Sequence, residues 1–159
     1  MSERTAEAVL RRLRERRQTL AVAESLTGGL LAATIVDVPG ASLVFRGGLV
    51  VYATDLKREL AGVPGDLLAR RGPVDPDVAL ALADGARRVC VADWGLGTTG
   101  VAGPDPQDGV PVGTVYLACR GPGGGEVRGV TLDGDRALIR AGAVAAALDL
   151  LAEALGSSS

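Results

Sequence analysis

Residues 20–29 read Leu20-Ala21-Val22-Ala23-Glu24-Ser25-Leu26-Thr27-Gly28-Gly29. The first four are an apolar run bounded by polar residues, the mark of a short buried strand. Gly28-Gly29 allow a tight turn, and Leu31, Ile35 and Val38 then keep helical spacing until Pro39-Gly40 stops the helix. A strand feeding straight into a helix is the repeating unit of an α/β domain.

The same alternation continues on both sides. Before the strand, Ala6, Val9, Leu10 and Leu13 lie among charges and predict an amphipathic helix over Glu3–Arg17. After it, Leu49-Val50-Val51-Tyr52 reads as a strand, with a short helix around Leu56 to Leu60. Asp75-Pro76 pairs an N-cap with a proline at the first helical position, and Val78, Leu82 and Ala86 carry that helix to Arg88. Val89 to Thr99 holds a further strand. Gly100 to Val112 is a loop rich in proline and glycine. Gly113–Arg120 and Glu126–Leu132 are strands joined through Gly121–Gly125 as a hairpin, so one pair is antiparallel. Asp135 caps a last helix through Ile139, Val144, Leu148 and Leu151, with Gly156 as its stop and Ser157–Ser159 as a loose tail. The expectation is a single three-layer α/β/α sandwich with a mixed sheet over residues 1–159.

Composition narrows the chemistry. At 159 residues the chain can bury roughly two-thirds of its unfolded surface, so it needs neither disulfide nor metal to fold. A net charge of −2 with scattered basic residues argues against nucleic acid as a partner. No run is long and apolar enough to span a membrane, no signal peptide opens the chain, and Cys90 and Cys119 read as small buried hydrophobes of a reducing compartment. The expected location is the cytoplasm. There is no histidine. That excludes a Ser-His-Asp triad, a Cys-His pair and His-ligated zinc, and leaves lysine, carboxylate, tyrosine or a terminal amine as general base.

Gly95-Leu96-Gly97-Thr98-Thr99-Gly100 matches GxGxxG, but Val101-Ala102-Gly103-Pro104-Asp105-Pro106 cannot open the helix that dinucleotide binding requires. What remains is a glycine-rich strand end whose backbone N–H groups can face an anion or a carbonyl. In residues 24–29, spacing alone favours a helix cap at Ser25 or Thr27 over an anion site at the helix N-terminus. Glu24 either accepts backbone N–H groups or contacts a ligand. Ser42, Tyr52 and Lys57 offer a serine nucleophile with a lysine base, although an ordinary surface or packing role fits their spacing equally well. Ten residues of straight strand place Ser42 roughly 33 Å from Tyr52. The chain must therefore turn back, at Gly47-Gly48 for instance, or the two must meet across a subunit interface. Arg136 and Arg140 share a helical face and suit a phosphate, or else form a solvated face behind the Asp135 cap.

In order and spacing, several segments together resemble the CinA C-terminal domain family. They are Ala23–Gly29, Pro39-Gly40-Ala41-Ser42 with Phe45, Tyr52 with Lys57, Thr99–Pro104, Pro111–Val115 and Gly134-Asp135-Arg136. The resemblance covers about residues 5–155. It implies hydrolysis of the carboxamide of nicotinamide mononucleotide (NMN) to nicotinate mononucleotide and ammonia, without cofactor, by a homo-oligomer. On that analogy Ser42 is the nucleophile, Lys57 its base and Tyr52 a relay. Glu24, Ser25, Thr27, Gly28, Thr99 and Gly100 line the substrate site, and Arg136 or Arg140 holds the phosphate. The chain departs from the family pattern at Leu26, at Ala41 and in the loop Asp105–Val110, which lacks a second glycine and the lysine usual before Pro111. Two alternatives follow from that loop: a non-catalytic nucleotide-binding or interaction module, and a deamidase for another nucleotide.

Overall fold

Strand β1 (Leu20–Glu24) is buried along its whole length because both of its faces are covered and both of its edges paired. The computed structural model describes residues 2–157. In chain order it runs α1 (Ser2–Glu15), β1, α2 (Leu30–Val36), a 3₁₀ turn at Ala41–Leu43, β2 (Phe45–Val50), α3 (Thr54–Glu59), α4 (Gly65–Arg71), α5 (Pro76–Cys90), β3 (Trp94–Gly100), β4 (Thr114–Gly121), β5 (Gly124–Thr131) and α6 (Arg136–Ser157). The sheet order is β2-β1-β3-β4-β5. β1 pairs in parallel with both β2 and β3, whereas β3–β4 and β4–β5 are antiparallel. The expected mixed α/β sheet is therefore present.

Alternation along each strand splits the core in two. Leu20, Val22, Leu96, Val115, Leu117 and Cys119 point to the face covered by α1, α2 and α6. Ala21 and Ala23 point the other way, to a cluster with Val51, Val63, Val78, Leu82 and Ala86. That second face belongs to α5 and to the segments around α3 and α4. Gly95 and Gly97 also face α5, whose backbone comes so close that a Cβ would lie 2.1 Å from the Ala83 carbonyl oxygen and 2.3 Å from that of Ala79. Gly95 and Gly97 thus sit inside β3 and serve helix–strand packing, whereas Gly100 ends the strand against Thr114 and Val115.

Other expectations need correction. β2 begins at Phe45 and runs straight through Gly47-Gly48, so the chain does not turn back there. A glycine is required at 48 by its neighbour in the sheet: a Cβ would meet the Val22 side chain at 2.6 Å. Val51 and Tyr52 have already left the strand. α4 carries no signal used above, since its residues are all at least partly exposed. α6 passes through Gly156 to Ser157, and the remainder of the expected tail, Ser158 and Ser159, lies outside the described residues. Gly121 and Gly124 pair with each other, so the hairpin turn is Pro122-Gly123 alone.

Candidate functional site

The carboxyl ends of β1, β2 and β3 open onto a cavity of about 290 Å³, where ligands of open α/β sheets bind. Each wall comes from one strand exit. Ser25 follows β1, Tyr52 follows β2 with Lys57 from α3, and Thr99 and Gly100 end β3. Pro73 and Val74 before α5, the loop from Val101 to Gln107, and Arg136 at the start of α6 close the rest.

Lys57 is the only lysine in the chain, and it is 1% exposed. Its Nζ donates to the carbonyl oxygens of Val51 at 2.9 Å and Tyr52 at 3.0 Å, the two residues that leave β2. No carboxylate pairs with it among the described residues. Desolvation therefore lowers its pKa from the ordinary 10.5 to about 8. A neutral amine has two N–H groups, and both are taken by these carbonyls. The lone pair is left without a protein partner, on a side chain that lines the cavity. Arg136 lines the same cavity from the start of α6. Its Nη1 donates to the Gly103 carbonyl at 2.5 Å and its Nη2 to the Tyr52 hydroxyl at 3.1 Å. Lys57 and Arg136 are the lining cations and Asp105 the lining carboxylate.

The turn after β1 is clamped from both sides. The Glu24 carboxylate is fully buried and accepts from Leu31 N at 2.9 Å and Ala32 N at 3.1 Å, doing for α2 what Gly29 at the N-cap cannot. Arg140 donates to the carbonyl oxygens of Leu26 and Thr27, each at 2.9 Å. Thr27 Oγ1 is 2.8 Å from Thr98 Oγ1. Within this rigid turn Ser25 anchors its backbone N–H on Thr98 and points a hydroxyl with no hydrogen-bond partner among the described residues. Thr99 Oγ1 donates to the Pro73 carbonyl at 2.6 Å, tying β3 to the entry of α5, where Asp75 caps the first turn through Asp77 N and Val78 N.

Of the residues nominated by sequence, the cavity gathers Ser25, Tyr52, Lys57, Thr99, Gly100 and Arg136. Glu24, Thr27, Gly28 and Arg140 stand behind it, in the clamp. Ser42 is elsewhere. It lies in the 3₁₀ turn before β2, at the end of that strand opposite to Tyr52, in a separate hollow with Val36, Pro39 and Phe45. Its hydroxyl is exposed and unpaired among the described residues. Exposed apolar side chains flank this edge of the sheet, namely Val36, Leu43, Val50 and Tyr52. Pro73, Val74, Asp105 and Gln107 were not nominated. The local signals near them are the Asp75-Pro76 helix start and the loop Asp105–Val110. Among the described residues no group of three or more Cys, Asp and Glu side chains is placed to hold a metal ion, and no helix is long and apolar enough to cross a membrane.

The model of the CinA C-terminal domain matches residues 2–155. A CinA-like protein of Frankia casuarinae is 54% identical over 143 residues, 90% of this chain and 33% of that protein. One from Geobacter sulfurreducens is 50% identical over 145 residues, 91% of this chain and 35% of that protein. The chain thus spans about a third of the curated relatives it matches. Among solved structures, the competence damage-inducible protein A of Klebsiella pneumoniae superposes with a TM-score of 0.95 at 30% identity, covering 99% of both chains. The competence/damage inducible protein CihA of Agrobacterium tumefaciens gives 0.92 at 33%, covering 98% of this chain and 96% of that one.

Proposed function

Because the chain belongs to the CinA C-terminal domain family, we propose that it hydrolyses the carboxamide of NMN to nicotinate mononucleotide and ammonia. The observation that carries this reading is the sole lysine, buried at the cavity with its pKa lowered to about 8, so that its lone pair comes free at much lower pH than an ordinary lysine's. Amide hydrolysis needs a base that takes a proton from the nucleophile and returns it to the departing amine. Lys57 suits both halves of that cycle, in a chain with no histidine. The substrate is zwitterionic. Arg136 suits its phosphate, Asp105 its cationic ring, and the Thr99 and Gly100 wall its carboxamide.

The nucleophile is Ser42, supplied by a second copy of the chain. Its exposed hydroxyl and the apolar residues beside β2 support that placement, since within one copy it lies at the far end of the strand from Lys57. In each site the serine oxygen attacks the carboxamide carbon as its proton passes to Lys57. The tetrahedral intermediate collapses, ammonia leaves with that proton, and water then releases the acyl group by the same relay. A second reading, that Ser25 is the nucleophile within one copy, is favoured by its unpaired hydroxyl in the cavity.

Ammonia release from NMN by chelator-treated protein is the test, with Ser42→Ala, Ser25→Ala and Lys57→Ala alongside. Each catalytic variant should lose roughly 10²–10⁴-fold in turnover. Mixing the Ser42→Ala and Lys57→Ala proteins should restore part of the activity if the site is shared between copies. Full activity of Ser42→Ala with loss in Ser25→Ala would move the nucleophile to Ser25. No ammonia from the intact protein, with NMN still bound, would replace the enzyme with a binding module.

A further inference from the structure

The geometry points to a second chemistry at Lys57: reversible imine formation with small planar aldehydes that carry an anionic group. This rests on the cavity and not on the proposed hydrolysis. An amine captures an aldehyde only when it is neutral, reachable and correctly presented. Here the two N–H groups are held by the Val51 and Tyr52 carbonyls, so the lone pair is aimed by the fold and not by rotation of a free side chain. The cavity that Lys57 lines has room for one flat ring. The same cavity is lined by the Arg136 guanidinium, fixed by the Gly103 carbonyl and the Tyr52 hydroxyl and open to an anion. Amine and guanidinium thus share one cavity with room for a ring bearing an aldehyde at one position and a phosphate at another.

The step balances without any further reagent. The Nζ lone pair forms the C–N bond as the carbonyl π pair moves to oxygen, and one nitrogen proton passes to that oxygen to give a carbinolamine. Loss of water then gives the imine, and hydrolysis reverses it. In its protonated form the imine keeps one N–H for one of the two carbonyls. Everywhere else on the chain the basic side chains are arginines, which form no such adduct, so the N-terminal amine is the sole competitor.

The experiment incubates the full chain with pyridoxal 5′-phosphate, fixes any imine with borohydride and maps the adduct by peptide mass spectrometry. One adduct on the peptide containing Lys57 is expected. Unphosphorylated pyridoxal should label that peptide at least about tenfold less, and Arg136→Ala should narrow the gap. An adduct on the N-terminal amine alone, or none, would overturn the inference. Equal labelling by both aldehydes would remove the anion from it. Turnover of NMN is read on matched samples of the same protein before any aldehyde is added. Protein that labels but never hydrolyses NMN refutes the amidase alone, and protein that hydrolyses NMN but refuses the label refutes this inference alone.

Discussion

On one face of the sheet Leu20, Val22, Leu96 and Leu117 meet Leu13 of α1 and Ile139, Val144 and Leu148 of α6. On the other, Ala21, Ala23, Gly95 and Gly97 meet α5. The first face is filled with side-chain volume. In the second, backbone nearly touches backbone. Aliphatic packing yields under substitution, because neighbouring side chains relax part of the way into a gap. A helix seated on glycines has less such freedom, because backbone and not flexible side chain fills the contact between α5 and β3. Its N-terminus carries Pro73, which Thr99 bonds, and so the glycine face sets the shape of the cavity.

Paired substitutions test that contrast. Leu148→Ala should destabilise the fold by about 2–5 kcal/mol, yet leave kcat on NMN close to normal wherever the protein remains folded. Gly97→Ala should cost about 3 kcal/mol or more by denaturant titration and lower kcat as well, because its Cβ would meet the Ala79 carbonyl oxygen at 2.3 Å and α5 must move away. Unchanged turnover in Gly97→Ala would break the link between close packing and the site.

Lys57 sharpens the comparison within the α5 side. With its pKa lowered to about 8, it acts as a base only above that value. The rate of ammonia release should therefore rise as pH rises through about 8 and then level off. Its effect on stability has the opposite origin. Below about 8 the folded state holds a charge that it solvates poorly, and the cost is fully present. Between about 8 and 10.5 the folded amine is neutral while the unfolded chain still binds the proton, and the cost fades with rising pH. Relative to Lys57→Met, the protein should gain about 3 kcal/mol between pH 7 and pH 10.5, measured by urea denaturation at each pH. A constant difference would remove desolvation as the cause of the shift.

The smallest expected effect lies beyond the end of α5. Val91 is 77% exposed and sits at φ 53°, a left-handed conformation that a β-branched residue adopts only under strain. Val91→Gly should raise stability by about 0.5–1 kcal/mol, read as a higher Tm, with turnover unaltered. A loss of stability would mean that the exposed valine makes contacts outweighing its strain.

The strand β1 and the helix after it were legible because their signals are local: four apolar residues, two glycines and a helical period. Lys57 and Tyr52 were legible together for the same reason, being one short step apart across a strand exit. β2 was not, since Gly47-Gly48 resemble a turn, and the need for glycine at 48 comes from Val22 on the neighbouring strand. Arg136 and Arg140 look alike on a helical wheel. Only the meeting of α6 with the turn after β1 sends one to the cavity rim and the other to two backbone carbonyls. Ser42 depends on which end of β2 it occupies, and that follows from where the strand begins.

Glu24 holds the first N–H groups of α2, at Leu31 and Ala32, and Arg140 holds the Leu26 and Thr27 carbonyls, so the turn between β1 and α2 is gripped at both ends. A segment so held cannot swing. Traffic into and out of the cavity therefore falls to the facing wall, the run from Gly103 to Gln107, which Arg136 fastens at one point. The cavity thus has one tightly bonded wall and one held at few points, and hydrogen exchange should find slow amides at Leu31 and Ala32 and faster ones at Asp105 and Asp108.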